Sequence, residues 1–65
     1  MKHTKRGIYE TDYGNAAVVI PTSGRTIAYD LDSAEFIPAE LVSETLIREA
    51  DESEIDMVLE MAEGD

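Results

Sequence analysis

The sequence predicts a small α+β domain, in which an antiparallel β-meander of three to four strands packs against one or two C-terminal helices. Before residue 32, short β-branched and apolar runs alternate with turn-forming Gly, Pro and Asn residues. After residue 38, apolar residues recur at helical spacing. The 65 residues allow one domain: a basic arm at 1–6, expected to be flexible, the meander at 7–37 and a helical acidic region at 38–63.

Three strands are predicted in the meander. Residues 7–11 are rich in β-branched and aromatic side chains, and a turn containing Gly14 follows. Residues 16–20 form an apolar run that is typical of a strand buried on both faces. Residues 26–31 alternate in polarity, so one face of this strand is apolar. That face carries Ile27, Tyr29 and Leu31.

The segment from 36 to 50 is open to two interpretations. Phe36 and Ile37 suit a short edge strand, and Pro38 suits the first position of a helix because its missing N–H is harmless there. Four apolar residues then follow helical spacing, which favours a helix over 39–50. They are Ala39, Val42, Leu46 and Ala50.

The competing interpretation of residues 39–50 is a helical turn followed by a strand. On a helix, Glu44 and Arg48 would share a polar face with Glu40 and could pair. Thr45 and Ile47 are β-branched, however, and favour a strand.

The last helix is predicted by its start signal and by an apolar stripe. Asp51 and Glu54 have the spacing of a capping box, and acids in the first turn suit the positive end of the helix dipole. Gly64 is expected to end the helix. The stripe that would face the core consists of Ile55, Val58, Leu59 and Ala62.

The charge of −10 is divided unequally along the chain. Residues 1–29 carry four Lys or Arg and two acids, a net charge of +2, whereas residues 30–65 carry one Arg and thirteen acids, a net charge of −12. Such asymmetry concerns partners and solubility more than the fold. The alternatives are a surface that meets a basic partner and an acidic surface that only keeps the protein in solution.

The small core makes a second copy or a partner an expected source of stability. The chain has no cysteine, so neither a disulfide nor a thiolate zinc site can supplement the core. No apolar run is long enough for a signal peptide or a membrane span, which predicts a cytoplasmic protein.

Catalytic and metal chemistry are poorly represented, and we expect no enzyme activity, no cofactor and no metal site. His3 is the only histidine and lies in the arm. Asp30 and Asp32 resemble the start of a calcium-binding loop, but Ala34 and Glu35 stand where that loop needs an oxygen ligand and a glycine.

A row of acids is the main candidate for a partner-binding site. If residues 49–63 are helical, seven acids lie along about 22 Å, a spacing comparable to that of phosphates on one DNA strand. Such a row could engage a basic protein surface, in the manner of an inhibitor that mimics nucleic acid, or it could simply solvate the helix. The acids are Glu49, Asp51, Glu52, Glu54, Asp56, Glu60 and Glu63.

Two methionines and the N-terminal arm suggest other contacts. Met57 and Met61 lie off the edge of the apolar stripe, where they either widen the core or form a seam for a homo-oligomer. Tyr9 and Tyr13 either pack on the sheet or anchor an interface. The basic arm would allow nonspecific nucleic-acid binding, although the acidic half would repel phosphates.

Three short motifs resemble small uncharacterised proteins encoded by actinobacterial phages. They are the Gly, Tyr, Thr, Tyr, Gly and Asn residues within 7–15, the segment 29–32, and the segment 35–38. The resemblance covers residues 7–42 and implies no catalytic residues. It implies an accessory protein that acts by binding a host or phage protein.

The leading hypothesis is therefore a non-enzymatic interaction module whose acidic helix binds a basic protein surface. The alternative is a homo-oligomeric structural or accessory phage protein whose acids confer only solubility. A nucleic-acid binder that uses the basic arm is the third hypothesis.

Overall fold

The computed structural model describes residues 5–63. The predictions for His3, for most of the basic arm and for the helix stop at Gly64 lie outside the described residues. The elements are β1 (Gly7–Thr11), β2 (Ala16–Pro21), β3 (Thr26–Asp30), β4 (Glu35–Ile37), a single 3₁₀ turn (Ala39–Leu41), β5 (Val42–Arg48) and α1 (Glu52–Glu63).

The five strands form one antiparallel sheet in the order β4-β3-β2-β1-β5. Neighbours in sequence pair along the meander, and β5 returns to pair with β1 at the opposite edge from β4. The α+β fold class is confirmed, with a single C-terminal helix. The sheet has one strand more than the largest number predicted.

The prediction of a helix over 39–50 is wrong, and the competing interpretation of a turn followed by a strand is right. Two register shifts interrupt the pairing of β5 with β1, where Tyr9 lies opposite Leu46 and Thr11 lies opposite Val42. Extra residues at such bulges break the two-residue alternation of a strand. The four-residue interval from Val42 to Leu46 fits a helix and a regular strand alike, and in the bulged β5 Val42 is buried whereas Leu46 is exposed.

The short connection between β4 and β5 requires the sheet to curl. In a flat sheet, four inter-strand steps of about 4.8 Å would separate β4 from β5 by about 19 Å. The five residue steps from Ile37 to Val42 span at most about 18 Å when fully extended, and the 3₁₀ turn shortens that reach. The turn contacts β3, and the Leu41 carbonyl accepts a hydrogen bond from the Asp12 N–H, just past the end of β1, at 2.7 Å.

Both faces of the curled sheet carry a hydrophobic cluster. One face holds Tyr9, Ala17, Val19, Ala28 and Val42, with Ile37 packed against them. The face under α1 holds Ile8, Val18, Ile20, Tyr29, Ile55 and Val58. The sequence prediction that residues 16–20 are buried on both sides is thereby confirmed, because alternate residues of β2 enter different clusters.

The apolar side of α1 packs on the sheet through two buried residues. Ile55 and Val58 are the buried residues of α1, and Leu59 packs beside them. The predicted apolar stripe thus faces the sheet, and the opposite side of α1 faces solvent. Among residues 5–63, no helix has the length and apolar character needed to cross a membrane.

Candidate functional site

Four acids of α1 share one exposed face, here called the acidic face. With about 100° of rotation per residue, positions 52, 56, 60 and 63 fall within an arc of about 80°. Successive members are three or four residues apart, so their side chains follow one another along the helix at intervals of about 5 to 6 Å. The acidic face consists of Glu52, Asp56, Glu60 and Glu63, all exposed.

Glu54 lies on another side of the helix and is already engaged. Its carboxylate accepts two hydrogen bonds from Arg48, Nη1–Oε1 at 3.1 Å and Nη2–Oε2 at 3.0 Å. Its Oε1 also accepts the Asp51 N–H at 2.9 Å, which is the contact that the capping-box spacing predicts. The bonds from Arg48 and from the Asp51 backbone hold the pKa of Glu54 below its ordinary value.

Arg48 therefore pairs with Glu54, and not with Glu44 as the helical interpretation would allow. The same contact, above all the hydrogen bonds to Glu54, raises the pKa of Arg48. Asp51 and Glu49, the remaining two acids of the predicted row, are exposed and precede α1. The predicted row of seven is thus divided into four acids on one face, one acid in an ion pair and two acids before the helix.

Met57 and Met61 lie beside the acidic face and have different environments. Met57 is 43% exposed, whereas Met61 is partly buried and packs against the cluster under α1. Both line a shallow surface together with Asp56 and Glu60. Each methionine therefore fits a different one of the two interpretations. Met61 widens the core, and Met57 remains at the surface.

A groove of about 220 Å³ lies between the C-terminal half of α1 and the edge of the sheet formed by β3 and β4. Met61 and Ala62 form its helix side, and Ile27 and Phe36 contribute from the strands. Phe36 is 44% exposed and packs edge-on against Tyr29 with ring centroids 5.0 Å apart. Met61 belongs to both the groove and the surface around Met57, so the two regions are continuous.

Two cations lie near opposite ends of this region. Arg6 lines a small recess with Glu52 and Asp56, at the N-terminal end of the acidic face. Arg25 lines the groove on its strand side. The last turn of α1 within the described residues carries no basic side chain of its own, so Arg25 is the cation that the groove places near the negative end of the helix dipole.

Asp30 is a buried acid whose carboxylate accepts hydrogen bonds from the turn that follows β3. Its carboxylate accepts the Asp32 N–H at 2.9 Å, the Ser33 N–H at 3.2 Å and the Asn15 amide at 3.3 Å. Burial alone would raise the pKa of Asp30, but these hydrogen bonds together have the larger effect, and the pKa is lowered.

Within residues 5–63, no three His, Cys, Asp or Glu side chains are grouped closely enough to hold a metal ion.

Tyr9 and Tyr13 differ in exposure, as Met57 and Met61 do. Tyr9 is buried in the cluster that includes Val42, and its hydroxyl donates a hydrogen bond to the Lys5 carbonyl at 3.0 Å. Tyr13 lies in the β1–β2 turn and is 66% exposed.

The contribution of Phe36 to the groove was not predictable from the sequence, because it depends on where α1 crosses the sheet.

No known protein family, curated protein or solved structure matches this chain.

Proposed function

We propose that this protein is a non-enzymatic interaction module whose acidic face binds a basic surface of another protein. The observation that supports the proposal is the alignment of Glu52, Asp56, Glu60 and Glu63 on the solvent side of a helix whose other side is fixed on the sheet. No basic residue interrupts α1 between 52 and 63.

A row of exposed carboxylates gives a long-range field as well as contacts. Lys and Arg side chains of a partner would be attracted over about 8 to 10 Å at physiological salt. Because the helix is held by Ile55 and Val58, the carboxylates are presented at a fixed spacing before the partner arrives. Less conformational freedom is then lost on binding than with a flexible acidic tail.

The resemblance to small phage-encoded proteins adds a class of partner to this proposal. An accessory protein of that kind would bind a basic surface of a host or phage protein. A surface that normally binds nucleic acid would fit, since grooves rich in Lys and Arg attract negative charge before they distinguish bases.

The experiment compares affinity capture by three forms of the protein from a lysate of its native host. The first is the unchanged chain. The second, the neutralised-face variant, carries Glu52→Gln, Asp56→Asn, Glu60→Gln and Glu63→Gln. The third, the matched control, loses the same charge from exposed strand and turn positions through Glu10→Gln, Glu35→Gln, Glu40→Gln and Glu44→Gln.

We expect the unchanged chain and the matched control to capture the same basic protein, and the neutralised-face variant to lose it. Capture should also weaken as salt rises to about 0.5 M, because exposed charge contacts are screened. Equal loss with both variants would assign the effect to net charge alone and would reject the acidic face as the site.

A homo-oligomeric structural role is the second candidate, and β5 favours it. This edge strand exposes Leu46 at 42% and Ile47 at 54%. Exposed apolar residues on an edge strand are a common route to pairing between chains. Sedimentation equilibrium over a wide concentration range tests this candidate: a concentration-dependent mass that Ile47→Lys abolishes would support it, and a constant monomer mass would reject it.

A further inference from the structure

We infer that the groove beside α1 binds an apolar anchor residue of a basic, amphipathic segment of the partner. This inference rests on the proposed function and specifies its partner, which must combine apolar side chains with Lys or Arg. The groove would then provide affinity that is insensitive to salt, beside the salt-dependent contacts of the acidic face.

The shape of the surface supports an apolar anchor. Phe36 and Met57 are both more than two-fifths exposed, and Met61 lies between the groove and the surface around Met57. An apolar strip thus runs along the edge of the helix and into the groove. Methionine side chains adapt to differently shaped apolar partners, so the strip suits a protein segment better than one rigid small molecule.

The charges around the strip favour a basic occupant. Asp56 and Glu60 border the shallow surface around Met57 and Met61. The C-terminal end of α1 adds its partial negative charge beside the groove, which Arg25 on the strand side partly offsets, so the basic groups of the occupant would meet Asp56 and Glu60 and not the groove itself. A Lys or Arg placed one helical turn from an apolar anchor would meet these groups while the anchor enters the groove.

The same charges disfavour a second copy of this chain as the occupant. Pairing two α1 helices along the strip would bring the Asp56 and Glu60 carboxylates of both copies together, with only Arg25 of each copy available near the groove. Each copy also carries a net charge of −10. Like charges at a desolvated interface are unfavourable, whereas the Lys or Arg residues of a basic segment would lie opposite Asp56 and Glu60, with the apolar anchor beside Arg25.

The test uses three synthetic peptides and the full chain. The first peptide has leucines at helical positions i, i+4 and i+7 and lysines at most other positions. The second replaces each leucine with serine and keeps the charge. The third keeps the leucines and replaces each lysine with glutamate. Fluorescence anisotropy gives the Kd of each peptide at about 0.15 M salt, near physiological ionic strength.

We expect the lysine–leucine peptide to bind at least about tenfold more tightly than either control peptide. Binding should shift the methyl NMR signals of Met57 and Met61, two of the three methionines in the chain. Equal Kd values for the leucine and serine peptides would overturn the inference and leave the proposed function standing. Failure of both lysine peptides to bind would count against the proposed function as well.

Variants at exposed positions locate the anchor, and circular dichroism must show an unchanged fold because Phe36→Gln also removes the ring contact with Tyr29. Met57→Gln combined with Phe36→Gln should weaken the lysine–leucine peptide about tenfold, while the lysine–serine peptide is unaffected. Ile47→Gln, which removes an exposed apolar residue from β5, is the matched control and should change the Kd less than about twofold. An equal effect of the control, or a dimer that buries Met57, would contradict the assignment.

Discussion

The guanidinium of Arg48 and the carboxylate of Glu54 form two parallel hydrogen bonds, at 3.1 and 3.0 Å, that join the end of β5 to the first turn of α1. The same carboxylate accepts the Asp51 N–H, so one side chain closes the start of the helix and attaches it to the last strand. This junction fixes the direction in which α1 leaves the sheet, and with it the direction of the acidic face.

Replacing Glu54 with glutamine should lower the free energy of unfolding by about 1 kcal/mol, the size typical of a helix-capping contact. The amide can keep one hydrogen bond but cannot form a charged pair with Arg48. Glu52→Gln, in the same helical turn and without a described hydrogen bond to a side chain, is the control. Urea denaturation of both variants gives the comparison, and equal losses would show that the junction adds nothing.

The contribution of Glu54 should also depend on pH. Its pKa is lowered in the folded state, so the stabilisation is fully present above its ordinary value of 4.5. It is lost as the pH falls through the lower, folded-state pKa, because the unfolded chain takes up the proton first. The difference in stability between the unchanged chain and Glu54→Gln should therefore shrink below about pH 4. A difference that stays constant from neutral pH to pH 3 would contradict this account.

Ala34 adopts a positive φ of 57°, a left-handed conformation that glycine adopts more readily than alanine. Ala34→Gly should raise the free energy of unfolding by about 0.5 to 1 kcal/mol, after allowing for the added freedom of glycine in the unfolded chain. Ser33→Gly, in the same turn but without the positive φ, is the control; it also removes the Ser33 hydroxyl that hydrogen-bonds Asp30, so it should lower the stability. Thermal unfolding of the two variants would measure this, and a lower Tm for Ala34→Gly would refute the prediction.

Asp30 should tolerate asparagine better than alanine. Asparagine retains an oxygen that can accept the N–H groups of Asp32 and Ser33, whereas alanine leaves both turn N–H groups without this acceptor. We expect the Tm to decrease in the order unchanged chain, Asp30→Asn, Asp30→Ala. If Asp30→Ala melted at the same temperature as the unchanged chain, the carboxylate would have no structural role.

Gly7 lies where β1 and β5 approach each other closely. A Cβ atom added there would lie 2.5 Å from Leu46 Cδ1 and 3.1 Å from the Arg48 carbonyl oxygen. The Leu46 side chain is 42% exposed and can move aside, so the contact with the Arg48 backbone sets most of the cost; Gly7→Ala should destabilise the fold by less than about 1 kcal/mol, and by still less when Leu46→Ala is also present. Additive effects of the two substitutions in a double-mutant cycle would argue against a steric conflict between them.

The local patterns of the sequence predict most of the fold. Turn residues and β-branched runs locate β1 to β4, and the apolar spacing from Ile55 to Ala62 identifies the buried side of α1. The local pattern does not distinguish β5 from a helix, because the bulges of this strand arise in its pairing with β1 and not from local preference. A single sequence does not reveal such long-range pairing.

The candidate site was predictable only in outline. Charge counting identifies the acidic region, but the removal of Glu54 from the exposed set depends on Arg48, which lies on a strand that the helical interpretation excludes. The groove joins Phe36 of β4 to Met61 of α1 across the sheet. Residues so far apart in the chain come together only through packing.

The salt dependence of binding to the captured partner tests the central claim most directly. The logarithm of the affinity of the unchanged chain should fall linearly with the logarithm of the salt concentration, as expected when charged contacts dominate. The neutralised-face variant should bind weakly and with a much smaller slope, while the matched control keeps the slope of the unchanged chain. Identical slopes and affinities for the neutralised-face variant and the unchanged chain would contradict the claim that α1 binds through its acidic face.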